Sequence, residues 1–209
     1  MSQREAAHQK AREFFDRLWS KGDFWEIESS DYERARLGRL IEVLADRRYQ
    51  RALELGCGAG ALTRLLADHA DRVLAIDVSE EALSRARMHP APPSIEWRCA
   101  DAMEMDLSRE GPFDLVVLVE TVYYLGWLYP FFDVAWLAHA LFEASRPGAR
   151  LLLANTLGDT GDNLVLPWLI LSYRDVFRNV GWSVATEETW RGRKNGVDLE
   201  VLITLLERP

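Results

Sequence analysis

The sequence has few cysteines, no long uncharged run and no apolar leader. Its 209 residues include two cysteines, Cys57 and Cys99, which are too few for a disulfide scaffold. The longest stretch without Asp, Glu, Lys or Arg is residues 121–132, which is too short to span a bilayer. The N-terminal residues carry charges throughout and lack the apolar centre of a signal peptide. We therefore expect a reduced, cytoplasmic protein with no membrane partner.

The sequence also lacks an excess of basic residues. It carries 33 acidic and 25 basic side chains, which gives a formal net charge of −8. Because nucleic-acid binding depends on basic patches that displace counterions, we expect no nucleic-acid partner and a small-molecule substrate instead. The length is enough for one domain with a sizeable core.

Apolar runs alternate with helical spacings along most of the chain. The run 113–119 is apolar on both faces, which is typical of a central strand in a parallel sheet covered by helices. We predict an α/β fold, a doubly wound, mostly parallel seven-stranded sheet of Rossmann-like type with a C-terminal antiparallel hairpin. The strands are predicted at 51–55, 72–76, 94–98, 113–119, 149–154, 182–190 and 197–206. The helices are predicted at 4–20, 31–45, 61–70, 79–88, 133–145 and 169–180, with Arg146, Pro147 and Gly148 closing the helix at 133–145.

A glycine-rich turn follows the first predicted strand. Gly56, Gly58 and Gly60 precede a helical spacing, and glycine permits a sharp turn and the close approach of a ligand. Read as G-x-G-x-x-A, with Asp77 about 20 residues further on, the turn fits a dinucleotide site. Glu54 instead favours S-adenosylmethionine, because its carboxylate would repel a pyrophosphate but tolerates a ligand that carries an ammonium and a sulfonium.

Two further features favour S-adenosylmethionine over a nicotinamide cofactor. Asp101 lies just past the third predicted strand, where its carboxylate could accept from the exocyclic amine of adenine. The terminal hairpin is more typical of a methyltransferase sheet. A nicotinamide-dependent oxidoreductase and a non-catalytic binding module with a cofactor-like pocket stay open as alternatives.

Four segments in a fixed order carry a family resemblance. ELGCGAG at 54–60, AIDVSEEAL at 75–83, CADAMEM at 99–105 and FDLVVLVETVYYL at 113–125 resemble the motifs of class I S-adenosylmethionine-dependent methyltransferases. SSDYERARLGRLIEVL at 29–44, together with ETVYYL, is similar to the nodulation-type, NodS-like small-molecule N-methyltransferases.

The resemblance implies a cofactor site for S-adenosyl-L-methionine, with S-adenosyl-L-homocysteine as the product. The glycines would form the floor under methionine and ribose, Asp77 would take the ribose hydroxyls, and Asp101 would hold the adenine edge. Tyr32 and Arg36 would reach the cofactor carboxylate. The full expected set is Tyr32, Arg36, Glu54, Gly56, Gly58, Gly60, Asp77, Val78, Asp101, Ala102, Glu120 and Thr121.

The reaction expected from the resemblance is methyl transfer to an amine nitrogen of a sugar-like or other metabolite. Glu120 would take the proton of the acceptor, while Tyr123 or Tyr124 would orient it; alternatively, Glu120 only binds the cofactor ammonium. An oxygen acceptor is the second choice, because no histidine near these motifs is placed to activate a hydroxyl. No metal site is expected.

The chain is expected to form a single methyltransferase domain. In this prediction residues 1–48 are N-terminal helices that cover the cofactor site, residues 49–154 are the cofactor-binding core, and residues 155–209 hold a substrate loop, the last helix and the hairpin. Acceptor contacts are expected in the loop 156–168 and among seven closely spaced aromatic residues, some of which should line a pocket or a lid: Tyr123, Tyr124, Trp127, Tyr129, Phe131, Phe132 and Trp136.

Overall fold

The computed structural model describes residues 3–158 and 163–209. The chain divides between Met105 and Asp106 into an N-terminal and a C-terminal compact unit. Each unit has its own helices and strands and is described separately below. The expectation of a single domain stays a prediction.

The N-terminal unit is built on three parallel strands. All residues of β1 and β2 are buried, which fits strands that are apolar except for Glu54 and Asp77 near their ends. Leu53 pairs with Leu74, and Asp77 at the end of β2 pairs with Cys99 of β3. The elements are α1 (Gln3–Trp19), α2 (Asp31–Leu44), β1 (Ala52–Leu55), α3 (Ala61–Leu66), β2 (Val73–Asp77), α4 (Glu80–Met88) and β3 (Ile95–Cys99).

The C-terminal unit combines one parallel strand pair with an antiparallel hairpin. Residues 115–118 of β4 are fully buried, and Val116 pairs with Leu151 of β5. Asn195 and Gly196 both have positive φ and form the two-residue hairpin turn between β6 and β7. The elements are α5 (Leu107–Glu110), β4 (Phe113–Val119), α6 (Val122–Leu128), α7 (Phe131–Glu143), β5 (Ser145–Leu157), a 3₁₀ turn (Asn163–Val165), α8 (Pro167–Asn179), β6 (Ser183–Lys194) and β7 (Val197–Glu207).

The strand order confirms the predicted fold class. The seven-stranded sheet runs β3-β2-β1-β4-β5-β7-β6. The pairs β1–β2, β2–β3 and β4–β5 are parallel, whereas β7 pairs antiparallel with both β5 and β6. The result is a mostly parallel sheet, wound in both directions from its first strand, that ends in the expected hairpin.

Two local predictions were wrong. Arg146, Pro147 and Gly148 do not end a helix at 145, because α7 ends at Glu143 and these residues belong to β5. Gly148 has a φ of +76°, and the β4–β5 register shifts at this point, so the glycine accommodates a bulge in the strand. Helix α6 was not predicted, because its aromatic residues and Gly126 have low helix propensity.

Membrane-spanning helices and metal clusters are both missing from residues 3–158 and 163–209. No helix in these ranges has the length and apolar character needed to cross a bilayer. Their His, Cys, Asp and Glu side chains form no group of three or more that could hold a metal ion.

Gly126→Ala and Gly38→Ala are expected to change stability in opposite directions. A Cβ atom at Gly126 would collide with the Tyr173 side chain, so we expect Gly126→Ala to lower the free energy of unfolding by about 1–3 kcal/mol. Gly38, in the middle of α2, has no neighbouring atom within 4 Å of such a Cβ. Gly38→Ala should therefore raise the free energy of unfolding by about 0.5–1 kcal/mol, through helix propensity. Urea denaturation measures both, and equal effects would contradict the contact of Gly126 with Tyr173.

Candidate functional site

The glycine turn of the N-terminal unit is anchored on the end of β2. Gly56, Gly58 and Gly60 all have positive φ, between +54° and +78°. The backbone N–H groups of Gly56 and Cys57 donate to the Ile76 carbonyl at 2.8 and 3.0 Å. Only glycine adopts such a conformation at three alternate positions at little cost. The turn therefore places backbone next to the carboxyl ends of β1 and β2.

Asp77 joins the glycine turn to the start of α4. Its buried carboxylate accepts from Gly58 N at 2.8 Å and from Ser79 N at 2.9 Å. Burial raises the pKa of Asp77 to about 6; hydrogen bonds from the backbone of Ser79, Gly58 and Val78 oppose this increase, and the nearby charge of Asp16 adds to it. Asp77 does not cap α4, since the hydroxyl of Ser79 accepts from Ala82 N at 3.2 Å in that position.

Glu54 is a second buried carboxyl group at the end of β1. The hydroxyl of Thr63 on α3 donates to it at 2.6 Å. Burial raises the pKa of Glu54 to about 8, and the charge of Asp77 acts in the same direction, so the group is mostly protonated at pH 7. The sequence reasoning missed Thr63, although a polar residue among the leucines of a short helix was a signal.

Asp101 is held from two directions. Met103 N donates to one carboxylate oxygen at 2.9 Å, and Nδ1 of His8 on α1 lies 2.9 Å from the other. His8 was not predicted, because nothing in its local sequence relates it to a residue 93 positions away. Val78 and Ala102, the two other residues expected near adenine, are half-buried beside Asp77 and Asp101.

Helix α1 contacts the glycine turn at Gly58 and both the start and the body of α4. Asp16 accepts from the Ser79 hydroxyl at 2.6 Å, and Arg85 donates to the Trp19 carbonyl at 2.9 Å. A Cβ atom at Gly58 would lie 2.8 Å from the buried indole of Trp19, and one at Gly60 would overlap the indole of Trp97. Both glycines are therefore required by protein packing, in addition to any role toward a ligand.

Tyr32 and Arg36 lie on α2, which packs against α3. Both side chains are buried. The Nε and Nη2 atoms of Arg36 lie 2.8 and 2.6 Å from a Glu33 carboxylate oxygen, so the guanidinium is engaged within its own helix. A role of Arg36 toward a cofactor carboxylate stays a prediction, and it would compete with Glu33.

In the C-terminal unit, Glu120 is fixed by residues from two elements. Glu120 follows β4 with a φ of +52°, a conformation that is unusual for a residue with a side chain. Its carboxylate accepts from Thr156 N at 3.0 and 3.1 Å, from the Thr156 hydroxyl at 2.8 Å and from the Tyr123 hydroxyl at 3.0 Å. The neighbouring Thr121 hydroxyl donates to the Val119 carbonyl at 2.9 Å. Thr156 was not predicted.

The structure brings the three predicted catalytic residues together. Tyr123 bonds to Glu120, and the rings of Tyr123 and Tyr124 lie 4.6 Å apart between centroids. Because the Tyr123 hydroxyl donates to Glu120, only its oxygen lone pairs are left to orient another molecule.

The seven closely spaced aromatic residues divide between core and surface. Tyr123 and Tyr129 are buried, whereas Trp127, Phe131, Phe132 and Trp136 are between 40% and 72% exposed. The sequence argument that not all of them could point inward is therefore confirmed. Of the polar loop expected at 156–168, Thr156 and Leu157 lie in β5, and Asp159, Gly161 and Asp162 lie outside the described residues.

The sequence comparisons identify the family. The family model for Nodulation protein S (NodS) matches residues 7–129. The chain belongs to the NodS family. Among curated NodS proteins, Nodulation protein S of Rhizobium tropici is 34% identical over 148 residues, which cover 68% of this chain and 59% of that protein. The chain thus spans under two thirds of the length of the curated NodS relatives it matches first.

This chain has the same fold as a NodS protein whose structure has been solved. The crystal structure of N-methyltransferase NodS from Bradyrhizobium japonicum WM9 in complex with S-adenosyl-L-homocysteine superposes with a TM-score of 0.77 at 22% identity. The match covers 95% of this chain and 98% of that one. Outside NodS, the Ubiquinone biosynthesis O-methyltransferase of Aromatoleum aromaticum is 30% identical over 107 residues, half of this chain and 43% of that enzyme. The chain therefore has the Rossmann-like fold of methyltransferases.

The raised pKa of Glu54 predicts a pH dependence of stability. A carboxyl group whose folded pKa of about 8 exceeds the unfolded value of 4.5 favours folding at low pH, and this contribution is lost as pH rises from about 4.5 through 8. Glu54→Gln keeps an acceptor for Thr63 but cannot ionise. Between pH 5 and 8 the wild type should lose at least about 1 kcal/mol more stability than Glu54→Gln.

Urea denaturation of the protein without ligand, at several pH values, tests this expectation. Glu81→Gln, at an exposed position of α4, controls for the change in net charge. Parallel pH profiles for the wild type and Glu54→Gln would show that Glu54 ionises as easily in the folded protein as in the unfolded chain.

Proposed function

We propose that the chain is an S-adenosylmethionine-dependent methyltransferase that acts on an amine nitrogen of a small, sugar-like or other metabolite. The observation that carries the proposal is the buried Asp77 carboxylate bonded to Gly58 N, in a chain of the NodS family. The name of the superposed structure supports it, since that NodS protein is an N-methyltransferase crystallised with S-adenosyl-L-homocysteine.

The cofactor in this proposal binds at the glycine turn of the N-terminal unit. Asp77 accepts from Gly58 N on one oxygen and from Ser79 N on the other, and in this proposal its carboxylate also accepts from the two ribose hydroxyls. Asp101 accepts in the same way from the adenine amine, while His8 and Met103 N keep its carboxylate in place. Val78 and Ala102 would contact the adenine.

Glu54 suits a cationic ligand in this site. Its carboxyl group is mostly protonated at pH 7 when no cation is nearby, because burial disfavours the charge. A ligand ammonium or sulfonium nearby would favour the ionised form, so binding would release a proton. Gly56 and Gly60 would form the floor under the methionine and the ribose, and Tyr32 and Arg36 would face its carboxylate. Glu120 and Thr121 are assigned to the same cofactor by family resemblance.

For methyl transfer the protein mainly has to position the acceptor nitrogen in line with the CH₃–S bond of the cofactor. The N–CH₃ bond forms as the CH₃–S bond breaks, and the sulfonium becomes the neutral thioether of S-adenosyl-L-homocysteine. The acceptor nitrogen needs a free lone pair, and the proton it loses passes to a carboxylate or to water. Glu120, held by Thr156 and Tyr123, is our candidate for this carboxylate, and Tyr124 lies beside Tyr123 to contact the acceptor.

Methyl transfer to oxygen is the second candidate. The match to Ubiquinone biosynthesis O-methyltransferases favours it, because those relatives carry the name of an oxygen-directed activity. A nitrogen acceptor is preferred because the NodS protein of Rhizobium tropici matches 68% of the chain at 34% identity, against 50% at 30% for the O-methyltransferase of Aromatoleum aromaticum. A small-molecule substrate, with neither nucleic acid nor membrane as partner, is part of the proposal.

Asp77→Ala is expected to weaken the binding of S-adenosyl-L-homocysteine. Removing both acceptors for the ribose diol should cost about 1.5–3 kcal/mol, or roughly tenfold to a hundredfold in affinity. Because the carboxylate is the accepting form, affinity in the wild type should also fall below about pH 6 as Asp77 is protonated.

Titration calorimetry between pH 5 and 8 measures both effects. Asp77→Asn serves as the control, since it cannot titrate and should lack the part of the pH dependence that Asp77 contributes. A folded Asp77→Ala protein with wild-type affinity would exclude Asp77 from the cofactor site.

Glu120→Gln tests the role of the Glu120 carboxylate in the C-terminal unit. If Glu120 takes the proton, the variant should lose turnover roughly a hundredfold or more with little change in cofactor affinity. The assay follows transfer of a radiolabelled methyl group to a panel of small amines that includes D-glucosamine. Weaker cofactor binding with normal turnover at saturation would instead make Glu120 a cofactor-binding residue.

A further inference from the structure

Helix α7 is apolar on its outward as well as its inward face. The residues that it buries against the rest of the chain are Val134, Leu137, Ala138 and Leu141. Its exposed residues are Phe131, Phe132, Trp136, His139 and Glu143. A helix that is apolar all round is normally covered on every side, and 13 residues are too few to span a bilayer. The outward face of α7 is therefore a candidate contact surface.

Three aromatic rings make up this surface, which we call the α7 aromatic face. Phe131, Phe132 and Trp136 are 62%, 72% and 58% exposed. Phe132 and Trp136 are four residues apart, so they are neighbours on one side of the helix. The His139 ring lies 5.5 Å from that of Trp136 and continues the face by one turn. Within α7, which the structure describes throughout, no Asp, Glu, Lys or Arg is exposed before Glu143, the last residue.

The size of the α7 aromatic face fits the centre of a protein–protein interface. An aromatic side chain offers roughly 150–250 Å², so the three rings together expose about 400 Å². Each partner of a standard interface buries about 800 Å², with charge-poor and aromatic-rich residues at its centre. The three rings supply about half of that area, and the positions around them would supply the rest.

The charge of the chain restricts what the α7 aromatic face can bind. The net charge is −8, and no Lys or Arg occurs between Arg109 and Arg146. Helices that lie on lipid use Lys and Arg to bind anionic headgroups, so α7 does not suit a membrane surface. Two copies of the chain repel each other through their net charge, and this repulsion opposes contact least where neither copy exposes a charge. The α7 aromatic face is such a place.

We propose that the α7 aromatic face binds a second copy of the chain, with the two α7 helices antiparallel about a two-fold axis near Trp136. The same face then contacts itself, as in other symmetric dimers. Glu143 is seven residues from the axis, so the two Glu143 positions lie about 21 Å apart along the helices, at a rise of about 1.5 Å per residue. Charges at that distance are largely screened at physiological salt. The antiparallel helix dipoles also attract each other. The inference does not depend on the methyl-transfer activity.

Phe132→Glu and Trp136→Gln test the inference in sedimentation equilibrium at about 1–200 μM protein. The wild type should change from monomer to dimer within this range. Phe132→Glu should raise the dissociation constant of the dimer roughly tenfold or more, because it removes a central ring and adds a charge to both copies. Trp136→Gln should also raise it roughly tenfold, since apolar area is lost without any change in charge.

Trp168→Glu is the matched control on α8. Trp168 is the second residue of its helix, as Phe132 is of α7, and the two are 65% and 72% exposed. The charge change is the same, but the position lies outside the α7 aromatic face. This variant should leave the dissociation constant within about twofold of the wild type. Far-UV circular dichroism checks that each variant is folded, and Trp136→Gln decides the inference if Phe132→Glu is not.

Salt dependence provides a second measurement. Raising the salt from about 0.05 to about 0.5 M should strengthen the dimer, because it screens the repulsion between two acidic chains. Weaker association at high salt would indicate an interface held by ion pairs and would overturn the inference. The same holds for a wild type that stays monomeric up to the highest concentration, and for Trp168→Glu weakening the dimer as much as Phe132→Glu. Monomeric protein that sediments with phosphatidylserine vesicles would show instead that the face binds lipid.

Discussion

A carboxylate can be buried at the end of a strand only if nearby N–H and O–H groups compensate for its lost hydration. The N-terminal unit meets this constraint at the buried Asp77, and the C-terminal unit meets a weaker form of it at the half-buried Glu120. Asp77 is compensated by Gly58 N and Ser79 N, and Glu120 by the backbone and hydroxyl of Thr156. In each case the bonds connect the end of one strand to the turn or strand beside it. The same interactions that make the charge tolerable therefore fix the shape of the site.

Both carboxylates have protein partners without any ligand. Gly58 N and Ser79 N bind different oxygens of Asp77, whereas each oxygen of Glu120 accepts from two donors. These bonds hold both side chains in place, so little reorganisation would be needed if a ligand bound there. Glu54 differs, since it has one hydroxyl donor, Thr63, and a raised pKa. A cationic ligand near Glu54 would therefore change the ionisation of its carboxyl group rather than the position of the side chain.

Local sequence patterns predicted most of the helices and strands and the position of acidic residues at the strand ends. The strands, the glycine turn and the placement of Asp77 follow from apolar runs, glycine spacing and residues at strand ends, which depend on near neighbours. The pairs His8–Asp101 and Thr156–Glu120 were missed, because they join residues 93 and 36 positions apart. Gly148 was read as a helix terminator, although its left-handed backbone serves a strand bulge. Glycine marks an unusual conformation but not the element that needs it.

The indoles that pack on the glycine turn give the protein an optical property. Trp19 is buried against Gly58, and Trp97 lies against Gly60, so two of the eight tryptophans of the chain adjoin one turn. Trp127, Trp136 and Trp168 are exposed and accessible to a quencher such as iodide. With the exposed rings quenched, the remaining emission is weighted toward Trp19 and the other shielded indoles. Intrinsic fluorescence can therefore report events at the glycine turn without any added label.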